Sequence, residues 1–119
     1  MKHSRALVVA VLALAVGGVT FASDHSLSGE YQIGGKTLID PPATEAKDTH
    51  FRVFLTGPAA QDLYQAMKVR AVEDECLRDG SVTKFLGGTA CTKLAKGGAY
   101  ECSLSINVKA QRVESAYAC

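Results

Sequence analysis

The chain has 119 residues, 13 lysines and arginines against 12 aspartates and glutamates, and 47% hydrophobic residues. That length suits one domain. The near-balance of charge, with opposite signs interspersed, argues against nucleic acid or an anionic membrane as partner.

The first predicted element is a secretory leader. Lys2, His3 and Arg5 form a basic start, and residues 6–19 an uncharged, largely apolar run. Thr20-Phe21-Ala22 then puts small residues where a signal peptidase needs them for a cut before Ser23. The apolar run is shorter than the roughly 20 residues of a spanning helix, and Ser23-Asp24-His25-Ser26 ends it. No cysteine follows it until Cys76, so a lipid anchor is not expected. Residues 1–22 therefore read as a cleaved signal peptide, and residues 23–119 as a single periplasmic or secreted domain with no stable membrane insertion. Loss of Lys2 and Arg5 takes the basic count from 13 to 11 against 12 acids, a formal charge of −1.

Residues 27–39 (LSGEYQIGGKTLI) predict two short strands around Gly34-Gly35. A polar connector with Pro41-Pro42 follows, expected to run extended over the surface. The alternating His50-Phe51-Arg52-Val53-Phe54-Leu55 predicts a strand. After the punctuation of Thr56-Gly57-Pro58, Ala60, Leu63, Tyr64 and Met67 repeat at helical spacing and leave Gln61, Asp62 and Gln65 outside. Val69 to Val72 reads as extended, and Glu73-Asp74-Glu75 as an exposed acidic run. From Ser81 onward, β-rich stretches alternate with turns at Gly87-Gly88, Ala95-Lys96-Gly97-Gly98 and Lys109-Ala110-Gln111, the pattern of an antiparallel meander. The fold class is α+β: one short helix packed on a mostly antiparallel sheet.

Cys76, Cys91, Cys102 and Cys119 all lie in the mature part. An even count in a short exported chain reads as two disulfides, and the spacing lacks the paired ligands of zinc sites. Pairing is a question of register. A two-residue turn at Lys96-Gly97 sets Cys91 opposite Cys102, and one at Ala110-Gln111 sets Cys102 opposite Cys119. Gly98 invites a three-residue loop that would separate Cys91 from Cys102. This favours Cys76–Cys91 with Cys102–Cys119; Cys91–Cys102 with Cys76–Cys119 is the alternative.

Catalytic signals are scarce. His25 lies in the polar start, and His50, with Asp48 nearby, reads as a strand-edge histidine rather than a general base. No GxSxG motif is present. Glu73-Asp74-Glu75 with Asp79-Gly80 lacks the alternation of a calcium loop and reads as a solvated run. The glycine pairs lack phosphate-cradling context. No catalytic residue, cofactor site or metal site is assigned. In the third meander strand, Cys102, Leu104, Ile106 and Val108 share the core face, while Ser103, Ser105 and Asn107 project together as the exposed face and candidate binding surface. The expectation is a non-enzymatic domain that binds an exported or envelope protein as an inhibitor, immunity-type or accessory protein. A small-molecule or metal-ion binder is the alternative, and a small hydrolase a more distant one.

Overall fold

A computed structural model describes residues 22–119. Apart from Ala22, the expected leader lies outside the described residues. The chain runs β1 (Ser28–Gly34), β2 (His50–Thr56), α1 (Gly57–Ala66), β3 (Val72–Glu73), β4 (Val82–Leu86), β5 (Thr89–Lys93), β6 (Tyr100–Asn107) and β7 (Arg112–Glu114). The strands form one sheet in the order β1-β2-β6-β5-β4-β3, with β7 also on β6, and each pairing is antiparallel. One helix on an antiparallel sheet with two disulfides is the expected α+β architecture.

Thr56 ends β2 in extended backbone and serves as the helix N-cap, and Pro58 occupies the first turn, where its missing amide costs nothing. The predicted helical face then packs inward. Ala60, Tyr64 and Met67 meet Cys91 and Cys102, with Leu55 and Leu63 partly buried beside them. At the far end, Lys84 Nζ donates to the carbonyls of Tyr64 and Met67, both at 3.0 Å. A cation there satisfies the last turn and opposes the negative end of the helix dipole.

The core is thin. Its buried apolar members are Ala60, Tyr64, Met67, Ala90, Cys91, Cys102 and Ala116, and no Val, Leu, Ile or Phe among the described residues is buried. Disulfides offset part of that deficit by restricting the unfolded chain, on the order of 3–4 kcal/mol each for loops of these lengths.

The bonds are Cys91–Cys102 and Cys76–Cys119, which corrects the favoured pairing. The loop between β5 and β6 takes residues 95–98, absorbing both Gly97 and Gly98 at positive φ, and Leu94 N donates to Ala99 O at 2.8 Å. A four-residue loop centred on Lys96-Gly97 preserves the register of a two-residue turn there, so Cys91 stays opposite Cys102. The next loop takes residues 108–111 and is centred one residue earlier than Ala110-Gln111. That displaces β7 by two positions, strand pairing stops at Glu114, and the tail carries Cys119 to Cys76. By contrast, Gly87-Gly88 forms the expected tight turn, both residues at positive φ between the paired Leu86 and Thr89.

Two further expectations are corrected. Residues 27–39 supply one strand, not a hairpin, because β1 pairs with β2 with Gly34 opposite His50. The amide and hydroxyl of Thr37 are both bonded to Glu45 Oε1, which holds the following segment as a loop. That loop is drawn onto the serine-bearing face of the sheet, where the buried Arg52 donates from Nη2 to the carbonyls of Gly35 and Thr37. In the acidic run, Asp74 is 2% exposed rather than solvated. Its Oδ1 accepts the amides of Cys76 (3.0 Å) and Leu77 (2.9 Å), and its Oδ2 accepts the Thr83 hydroxyl.

Candidate functional site

Strand register sorts the side chains into two faces. On the helix side, Ile33, Phe51, Ile106 and Val113 form one row of directly paired residues across β1, β2, β6 and β7. Tyr31, Val53 and Leu104 form the next row, and Leu55, Cys102 and Cys91 the one after. The helix core engages only that third row. The first two rows stay open: Tyr31 is 69% exposed, Ile33 49%, Ile106 38% and Val113 45%, and Phe51, Val53 and Leu104 are half-buried. Tyr31 stacks on Phe51 with ring centroids 5.3 Å apart. All seven residues are uncharged. Single exposed apolar residues are ordinary, but a contiguous apolar patch marks an interaction surface.

β1 forms one border of this patch and is the terminal strand of the sheet. Its residues from Ser28 to Ile33 are all exposed. Gly29 lies at φ 151°, and a Cβ there would stand 2.1 Å from the Phe54 carbonyl oxygen, so only glycine lets the two strands pair this closely.

The opposite face carries the candidate residues Ser103, Ser105 and Asn107, and it is not an open surface. Ser105 is 1% exposed and sits opposite Arg52 and Glu114; Ser103 and Asn107 are half-buried. Ser105 Oγ has no hydrogen-bond partner among the described residues. The tail after β7 crosses this side of the sheet with Ala116 buried and Tyr117 edge-on to Phe85, centroids 5.1 Å apart. Between tail and sheet lies a cleft of about 580 Å³ lined by residues including Glu30, Phe54, Asp74, Glu101, Ser103 and Tyr117, and by no lysine, arginine or histidine. Burial pushes the Asp74 carboxyl up, but hydrogen bonds from Thr83, Leu77, Tyr117 and Cys76 outweigh it and hold the pKa below the usual value. Burial and the Asp74 carboxylate raise the Tyr117 phenol.

His50 is not an edge residue: β2 lies between β1 and β6, and His50 is buried. Its partner is Glu114, not Asp48, with Nε2 3.0 Å from Oε2, while Nδ1 lies 2.8 Å from the Thr49 hydroxyl. Arg112 Nε at 2.7 Å and Asn107 Nδ2 at 3.1 Å donate to the other Glu114 oxygen. Those bonds, Arg112 first and then His50 and Asn107, bring the Glu114 pKa down to about 2. The hydroxyl–imidazole–carboxylate line resembles an activated nucleophile in outline. None of its three members lines the cleft, and it ties the start of β2 to β7. Among the described residues no group of three His, Cys, Asp or Glu is arranged to hold a metal ion, and no helix is long and apolar enough to cross a membrane.

The chain matches no protein-family model, no curated protein and no solved structure. The residues and their geometry carry the functional reading.

Proposed function

We propose that the mature chain is a small exported, non-enzymatic domain that binds another exported or envelope protein, in the manner of an inhibitor, immunity-type or accessory protein. The observation that carries this reading is the pair of uncovered rows, Ile33-Phe51-Ile106-Val113 and Tyr31-Val53-Leu104, beside the helix. Their lack of charge selects a partner with a neutral apolar surface, since burying an unpaired charge against them would be costly. Their support from a continuous strand ladder and a disulfide keeps the ordering cost of docking low. On this reading the partner docks on the face opposite Ser103, Ser105 and Asn107.

Site-specific photo-crosslinking tests the reading. A crosslinker at Ile106 should yield a discrete adduct, and one at Gln61 on the outer helix face should not. With the partner then purified, Ile106→Lys should weaken binding more than tenfold, about 1.4 kcal/mol, at an unchanged melting temperature. Equal adducts from both positions, or unaltered affinity, would discard it. The cleft under the tail favours a second reading, a small-ligand binder, and it would leave Ile106→Lys silent.

A further inference from the structure

We infer that β1 takes up an extended segment of the partner as an added strand, and that this segment alternates apolar with basic residues. The inference rests on the proposed docking face and specifies the chemistry of what docks there. A terminal strand carries unpaired N–H and C=O groups along its outer side, and proteins that avoid edge pairing blunt such strands with proline, lysine, short length or a covering loop. Among the described residues, β1 has none of these devices. It spans Ser28–Gly34 without proline or lysine, Glu30 is its single charge, and Ser28 to Ile33 are all exposed. Of the other edge strands among the described residues, β3 is limited to Val72–Glu73 and β7 to Arg112–Glu114, which leaves β1 as the longest edge to template a strand.

The two faces flanking that edge differ in chemistry, and an added strand would meet both. Tyr31 and Ile33 lie on the helix side and continue into Phe51, Val53, Leu104 and Ile106. Alternate side chains of the incoming segment would extend these apolar rows. Glu30 lies on the other side, where it lines the cleft with Glu101 and Asp74 and no basic residue. Arg52, one row further along this face, is buried and bonded to the carbonyls of Gly35 and Thr37, so the intervening side chains of the segment beside Glu30 would face the acidic surface, where lysine or arginine is favoured. Main-chain pairing supplies affinity in this mode, and the alternation supplies specificity.

The test uses three synthetic peptides, each titrated into isotopically labelled mature protein and followed by NMR: alternating valine and lysine, the same composition in blocks, and alternating valine and glutamate. The alternating valine–lysine peptide should bind at least tenfold more tightly than the other two. Its largest amide shifts should fall on residues 28–34, with slowed hydrogen exchange at alternate β1 amides. Glu30→Lys should reverse the preference toward the valine–glutamate peptide, and Ile33→Asp should weaken both alternating peptides about tenfold. Both substitutions replace exposed side chains, and an unchanged melting temperature confirms the fold. Equal binding of the block peptide, shifts centred elsewhere, or a dimer through β1 that the peptide does not displace would overturn strand addition. Crosslinking from Ile106 that persists despite such a result would leave the docking face standing; loss of both would remove both.

Discussion

Cys119 is bonded to Cys76 in the turn after β3, so residues 115–119 are held between β7 and this bond across one face of the sheet. The other bond, Cys91–Cys102, is buried beneath α1. Accessibility should therefore separate them, because thiol–disulfide exchange needs a path for the attacking thiolate. Limiting dithiothreitol followed by alkylation and peptide mapping should label Cys76 and Cys119 well before Cys91 and Cys102. The double variant Cys76→Ser with Cys119→Ser should lose about 4 kcal/mol of stability, given a sequence separation of 43. Simultaneous labelling of all four cysteines would contradict this account of burial.

Glu114 gives the fold a defined acid sensitivity. Its folded pKa of about 2 lies below the ordinary 4.5 because Arg112, His50 and Asn107 donate to the carboxylate. A depressed carboxyl contributes fully above its unfolded value, and the contribution is lost as pH falls through the folded one. Denaturant midpoints should thus decline between about pH 4.5 and 2. Glu114→Gln should flatten part of that slope and lower stability at neutral pH. An unchanged profile in the variant would remove Glu114 from the account. Asp74, also held low, acts in the same direction.

Asp74 organises the turn that presents Cys76. Asp74→Ala would strip the acceptor from the amides of Cys76 and Leu77 and from the Thr83 hydroxyl. A loss of about 2 kcal/mol is expected from the acceptor lost to these partly buried donors, of which Thr83 keeps its bond to Thr92. Asp74→Asn, which keeps an acceptor oxygen, should lose less, and calorimetry of the two variants checks the order. Equal melting temperatures for wild type and Asp74→Ala would refute it.

His50 and Asp48 should be dispensable for partner binding. His50 lies on the polar side of β2, opposite Asn107, and Asp48 lies in the loop before that strand. His50→Ala should change affinity by less than about threefold, roughly 0.6 kcal/mol, while lowering stability through the lost Glu114 contact. A measurable turnover abolished by His50→Ala would instead revive the hydrolase reading.

Local signals in the sequence carried most of the strands, the helix and its inward face, though not the single strand in place of a hairpin over residues 27–39, because side-chain period and turn residues are properties of neighbouring positions. Ala60, Tyr64 and Met67 are buried as their spacing requires. What the sequence concealed depends on distant segments. The alternation of Ser103, Ser105 and Asn107 with Leu104 and Ile106 identifies two faces but not what covers each. Residues 35–49, anchored by Arg52, and the tail anchored by Cys119 cover the serine side. The ten-residue α1 covers only part of the other. Asp74 resembles its exposed neighbours Glu73 and Glu75 until Thr83 is folded against it. The disulfide register turned on whether one loop held three residues or four, a choice that the Gly97-Gly98 pair permits either way.

The first two apolar rows are bare in the isolated protein, and the proposed partner would cover them. Carbene footprinting read by mass spectrometry measures this directly, because the reagent inserts into exposed side chains regardless of type. Tyr31, Ile33, Ile106 and Val113 should be labelled strongly in the purified protein, and that labelling should be lost when the partner is bound. Labelling of Gln61 and Gln65 on the outer side of α1 should stay unchanged. Rows already protected in the isolated protein, or labelled equally with and without the partner, would contradict it.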